Sequence, residues 1–150
     1  LATIDIERIE DRSGQKLRTM LRERLAPRGA TGRPLYRLSV TLSESKSELA
    51  IRRDESATRA NLSLNATFTL TRLPPGPPGS VTRTAFSTNS YNVLDSEFAT
   101  LSAENDARNR ALRSLAEEIR LRVATAINNP AVFETPAPTP PAKAPARTLK

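Results

Sequence analysis

The chain has 150 residues with 23 Lys and Arg against 16 Asp and Glu, a formal net charge of +7, and neither cysteine nor histidine. One domain of ordinary size is expected from that length, and the missing residues exclude disulfides, thiolate nucleophiles, the usual zinc sites and any histidine-based triad or general base. Lys143, Arg147 and Lys150 supply three of the positive charges after the last acid, Glu134, so the body of the chain carries a mild excess and not the dense basic stripe of a nucleic-acid binder. Four Phe and two Tyr also give few platforms for stacking bases.

Ile4, Ile6 and Ile9 are separated by Asp5, Glu7 and Arg8, which predicts a short strand with one buried face. Glu10 to Gly14 is expected to be the turn that ends it. Leu17, Met20, Leu21 and Leu25 then recur at helical spacing with Arg18, Arg22, Glu23 and Arg24 outside them, and Pro27 and Gly29 close the helix. Ala30 to Pro34 is a loop. Tyr36, Leu38, Val40 and Leu42 alternate with Arg37, Ser39, Thr41 and Ser43 as a second strand. From Glu44 to Glu48 the apolar positions stop, and Leu49 and Ile51 resume them at odd numbers, which predicts a β-bulge between the two parts.

Arg52 to Thr58 reads as the tip of a long hairpin. On the return strand Ala60, Leu62, Leu64, Ala66, Phe68 and Leu70 share one face and Asn61, Ser63, Asn65, Thr67, Thr69 and Thr71 the other, the pattern of a sheet covered on a single side. Pro74-Pro75-Gly76-Pro77-Pro78-Gly79 is a connector that no strand can contain, and Val81 to Val93, rich in threonine, follows as another strand. Asp95 and Ser96 offer N-caps for a long helix from Phe98 to Ile127. Its apolar stripe is Leu101, Leu112, Leu115, Ile119, Val123 and Ile127, with Arg108, Arg110, Arg113, Glu117, Arg120 and Arg122 on the opposite face. After Pro130 the chain is Pro-, Ala- and Thr-rich, and residues 131–150 read as a disordered tail.

The expected fold is α+β: a two-layer sandwich of two helices on one face of a four-stranded, mostly antiparallel sheet in the order β-α-β-β-β-α, within a single domain of residues 1–130. A right-handed crossover between parallel first and second strands puts the Glu10 to Gly14 turn, the Arg52 to Thr58 tip and the Tyr91 to Glu97 entry at one end of the sheet. Catalysis finds no inventory: Asp95, Glu97, Glu104 and Asp106 are explained by the helix start better than as paired acid and base. Arg52, Arg53 and Arg59, with Arg12 near them, are candidates for gripping phosphates or carboxylates; the alternative is a solvated turn offset by Asp54 and Glu55. Arg24, Arg28, Arg33 and Arg72 form a second basic zone with the same two readings. The polar strand face is either open to solvent or packed inside a partner. No cofactor is implied, and any targeting signal is expected to precede Leu1.

Several segments together resemble the lipopolysaccharide-assembly lipoprotein LptE family in its alphaproteobacterial form: Leu49-Ala50-Ile51-Arg52-Arg53-Asp54, Ser90-Tyr91-Asn92-Val93-Leu94, Phe98-Ala99-Thr100, Ala103-Glu104-Asn105-Asp106-Ala107-Arg108, and Asp11-Arg12-Ser13-Gly14-Gln15-Lys16 at the first helix. The likeness spans roughly residues 3 to 127. It implies a non-enzymatic protein held on the periplasmic side of the outer membrane by a lipidated N-terminal cysteine, which this sequence does not contain. It also implies a plug inside the LptD β-barrel, help in assembling that barrel, and binding of lipopolysaccharide for delivery to the outer leaflet. Under it, Arg12, Arg52, Arg53 and Arg59 become candidates for lipopolysaccharide phosphates. A lipoprotein subunit of another envelope transport system is the alternative.

Overall fold

The computed structural model describes residues 3–26, 32–49 and 58–133, the side chain of Leu49 excepted. Four strands, β1 (Ile4–Ile6), β2 (Tyr36–Leu49), β3 (Thr58–Arg72) and β4 (Ser80–Val93), and two helices, α1 (Asp11–Leu25) and α2 (Glu97–Asn128), follow one another as β1-α1-β2-β3-β4-α2. The sheet order is β1-β2-β3-β4. β1 runs parallel to β2 and the other pairs are antiparallel, so the sheet is mixed and the α+β sandwich is as the residue pattern predicts.

Period-two burial makes the layers. Ala60, Leu62, Leu64, Ala66, Phe68 and Leu70 of β3 are buried, 2% exposed at most, and they meet Leu17, Leu21 and Leu25 of α1 and Ala107, Ala111, Leu112, Leu115, Ala116, Ile119 and Val123 of α2 in one core. The opposite face is polar. There Ser63 and Thr88, Thr69 and Thr82, and Asn61 and Ser90 join across β3 and β4 at 2.9, 2.9 and 2.7 Å, each a directly opposed pair in the register.

Four expectations change. The β2–β3 ladder runs without interruption from Tyr36 opposite Arg72 to Leu49 opposite Arg59, so there is no bulge. Glu44, Lys46 and Glu48 keep the register of Leu38 and Val40, and the apolar pattern stops because Glu44 and Lys46 meet Arg108 and Glu104 of α2 and Glu48 is exposed. Ile51 lies outside the described residues. Second, Glu10 to Gly14 is no turn: α1 begins at Asp11, whose φ is 65°, a left-handed angle that a short polar side chain tolerates. Gly14 is buried inside the helix because Ile9 lies against it; a Cβ there would stand 2.7 Å from Ile9 Cγ2.

Third, the first turns of α2 lie outside the core. Leu101 is 54% and Phe98 82% exposed, and Ala107 is the first buried residue of the helix; the cap is Ser96, which accepts from the Ala99 N–H at 3.4 Å. Fourth, the first residues of the expected tail pack back on the domain. Pro130–Val132 form a 3-10 turn, and Phe133, 9% exposed, lies under the Arg72 guanidinium at 4.1 Å and 5.9 Å from the Tyr36 ring. Arg72 also donates to the Pro130 carbonyl at 2.9 Å, so this member of the second basic zone is structural. The rest of the tail lies outside the described residues.

Gly14→Ala tests the helix–strand contact. Although alanine favours helix by about 1 kcal/mol, the clash with Ile9 is expected to dominate and lower stability by about 1–3 kcal/mol, read as a reduced melting temperature. An unchanged or raised value would show that Ile9 yields freely.

Candidate functional site

Unequal lengths create the site. β1 pairs only with Tyr36 to Leu38, and the Arg8–Asp11 connector runs beside Ser39 to Leu42, so α1 starts level with the middle of β2. Beyond it, neither α1 nor β1 covers β2. The space left over is a groove of about 680 Å³ lined by Asp11, Arg12, Ser13 and Lys16 of α1, Glu44 of β2, and Asn105 and Arg108 of α2.

Arg108 is the hub of its floor. Its Nε and Nη2 donate to the two carboxylate oxygens of Glu44 at 2.8 and 2.7 Å, Nη2 also to Glu104 Oε1 at 2.6 Å, and Nη1 to Asn105 Oδ1 at 2.8 Å. Lys46 Nζ closes on the same Glu104 oxygen at 2.6 Å, and the Tyr91 hydroxyl faces Glu104 Oε2 at 3.5 Å. The side chains of Glu104 and Arg108 are 14% and 16% exposed, shielded enough for charge-assisted bonds to count.

The hydrogen bond from Arg108 holds the Glu44 carboxyl below its ordinary value. Burial pushes Glu104 upward, but the hydrogen bonds from Lys46 and Arg108 outweigh it and the net shift is down. Arg108 is raised, chiefly by its bond to Glu44. Tyr91 is raised by burial first and by the Glu104 charge second.

With Arg108 engaged, the cations that the groove offers an anion are Arg12 and Lys16; among the described residues Arg12 has no ion-pair partner and the Lys16 Nζ reaches only Asn109 Oδ1 at 3.2 Å. Arg59 stands elsewhere. It pairs with Leu49 and Asn92 at the far end of the hairpin, in register with Asn61 and Ser63 on the polar face, five residues or about 17 Å along β2 from Glu44. Arg12 therefore stands apart from Arg59, because β1 has three residues and β2 fourteen. Arg52 and Arg53 lie outside the described residues.

Spacing alone places Arg108 on the solvated face of the helix and Glu104 at its start. Their i,i+4 separation, together with charges at the even positions Glu44 and Lys46 of a strand, is the signal that marks the network. No group of three potential metal ligands occurs among the described residues.

The linkage has a definite sign. Glu44 and Glu104 are lowered in the folded chain, so their contribution is fully present above the ordinary carboxylate value of 4.5 and is lost as pH falls through their lowered values. Arg108→Met should flatten that acid limb and cost about 1–3 kcal/mol at neutral pH, measured by denaturant unfolding across pH. An unchanged acid slope would show that the network does not carry it.

Among solved structures, the chain is similar to a lipoprotein from Caulobacter crescentus (TM-score 0.64, 21% identity, 84% of this chain and 91% of that one) and to the rare lipoprotein B from Shewanella oneidensis (0.68, 15%, 86% and 98%). A minor lipoprotein from Acinetobacter baumannii is similar at 0.61, with 19% identity over 83% and 94%. At these identities the likeness is one of fold. No curated protein sequence matches the chain. The model of the lipopolysaccharide-assembly family LptE matches residues 1–123, well over half of the chain, and the protein belongs to that family.

Proposed function

We propose that this chain is an outer-membrane lipopolysaccharide-assembly component that plugs and helps to assemble the LptD β-barrel and binds lipopolysaccharide on its way to the outer leaflet. The observation that carries this reading is the LptE family match over residues 1–123, which itself gives the coarser statement, a role in lipopolysaccharide assembly. Among the described residues no helix is long and apolar enough to cross a membrane. Attachment by a lipid anchor on the periplasmic side is in keeping with the lipoprotein neighbours.

Two features of the geometry support the finer reading. The sheet face turned away from the helices is lined by Ser, Thr and Asn and laced by hydroxyl and amide pairs, which suits the hydrophilic interior of a large barrel. The cations suited to phosphate fall into two places, Arg12 with Lys16 in the groove and Arg59 at the hairpin end, six residues after Arg53 in sequence. Guanidinium groups grip phosphate oxygens in pairs, and such contacts weaken with salt.

Charge reversal at Arg52 and Arg53, positions the sequence predicts to be exposed, should weaken lipopolysaccharide binding by about tenfold or more with the melting temperature unchanged. Unchanged binding would remove the hairpin end from the site. Co-purification from envelope membranes in mild detergent is expected to recover a large outer-membrane β-barrel in equal amount. Recovery of inner-membrane transporter subunits instead would move the function to another envelope transport system.

A further inference from the structure

The free edge of β4 is built differently from the other free edge of the sheet. In an antiparallel ladder each residue sends its N–H and C=O to the same side, alternately toward one neighbour and the other. The Leu38 carbonyl accepts from the Glu7 N–H at 3.0 Å and the Tyr36 N–H reaches the Thr3 carbonyl at 3.4 Å, so even residues of β2 point toward β1. Carried through the registers, the alternation makes the even residues of β4 point away from the sheet. Two arginines confirm the phase: Arg83 Nη1 donates to the Thr82 carbonyl at 3.0 Å, and Arg110 Nη2 to the Ser90 carbonyl at 3.4 Å.

Between these two capped carbonyls, Thr84, Phe86 and Thr88 present their backbone groups with no partner among the described residues. The remaining free edge of β2 carries Glu44, Lys46 and Glu48 at its outward-pointing positions, the charges with which edges repel strand addition. β4 has one charged residue in fourteen, Arg83, and at the centre of its free stretch stands Phe86, 69% exposed.

We propose that the β4 edge from Thr84 to Thr88 docks an extended segment of another polypeptide as a fifth strand, neutral opposite those five residues and flanked by carboxylates at both ends. Backbone pairing supplies the affinity of such additions and side-chain pockets the specificity. Charge complementarity sets the flanks: neither Arg83 nor Arg110 has a carboxylate within ion-pair distance among the described residues, and each guanidinium keeps donors beyond the one spent on β4. A second copy fits poorly. Set antiparallel about Phe86, it would oppose Thr82 to Ser90 and bring Arg83 of one copy against Arg110 of the other at both ends.

Beside the Thr82 end lies a cleft of about 150 Å³ with Phe68, Val81, Val123 and Val132 in its walls and Arg83 and Arg122 at its margin. It gives one apolar side chain of the added strand a seat next to its carboxylate.

The probe is a labelled, end-capped nine-residue peptide, five alternating Thr and Val flanked by Glu, titrated against the full chain at low salt and read by fluorescence anisotropy. Saturable binding is expected, about tenfold weaker when the flanking Glu are replaced by Lys. Phe86→Pro should abolish it, because the N–H removed points away from β3 and plays no part in the native ladder; circular dichroism verifies the fold. Should that variant fail to fold, Arg83→Glu with Arg110→Glu carries the test by reversing the preference toward the Lys-flanked peptide. No binding, or binding indifferent to Phe86→Pro and to the charge of the flanks, would overturn the proposal. So would a concentration-dependent dimer in sedimentation that Phe86→Pro dissolves, which would give the edge to a second copy.

Discussion

The rest of the molecule depends on one long ladder, fourteen residue pairs of β2 and β3 without a break, laid against a helix layer of unequal parts. α2 has 32 residues and α1 only 15, so at 1.5 Å per residue α1 covers about half the length of its partner. Where both helices lie on the sheet, leucines, isoleucine and alanines close a dry core. Where α1 is missing, the same face of β2 has no apolar cover, and its side chains change from Leu and Val to Glu44, Lys46 and Glu48. Arg108 and Glu104 then reach across from α2 to satisfy Glu44 and Lys46. The groove at the start of α1 is a consequence of that mismatch in length.

The two faces of the sheet have separate duties. One is consumed by folding, since Leu62, Leu64, Ala66 and Leu70 are wholly buried. The other spends its polar groups on cross-strand pairs at close opposed positions, yet keeps a wide hydroxyl and amide surface for a wet partner. A lipopolysaccharide-assembly protein that sits within a hydrophilic enclosure needs a face of this second kind, and it needs cations placed where a phosphate can arrive. Arg12 and Lys16 on the helix side and Arg59 on the polar side are separated by the thickness of the sheet as well as by a stretch of β2, so under the proposed function a single phosphate would not meet both groups.

Most of the architecture is legible because its cause is local. The alternation of Ala60 to Thr71, the stripe of Leu17, Leu21 and Leu25, and the stop at Asn128-Asn129-Pro130 each follow from a short-range period or a backbone restriction. The errors arise where a residue answers to something distant. Gly14 resembles a turn glycine, but the reason for it is Ile9 packed on the helix. Glu44 and Lys46 look like the end of a strand, but their partners are sixty-four and fifty-eight residues further along the chain. Leu101 fits the apolar stripe and yet meets no core, since a helical period cannot report where the opposing layer ends. The candidate site was half visible for the same reason: its arginines can be named from the sequence, while their grouping depends on how far β1 extends beside β2.

The central claim, that the polar sheet face is the surface turned toward a large outer-membrane barrel, is tested most directly by photo-crosslinking in cells. A benzophenone side chain placed at Asn65 or Thr67 on that face should give a discrete adduct with a β-barrel protein, while the same group at Arg113 on the outer side of α2 should give a weaker one or none. Adducts from Arg113 alone, with Asn65 and Thr67 silent, would contradict the account and turn the helix layer toward the partner.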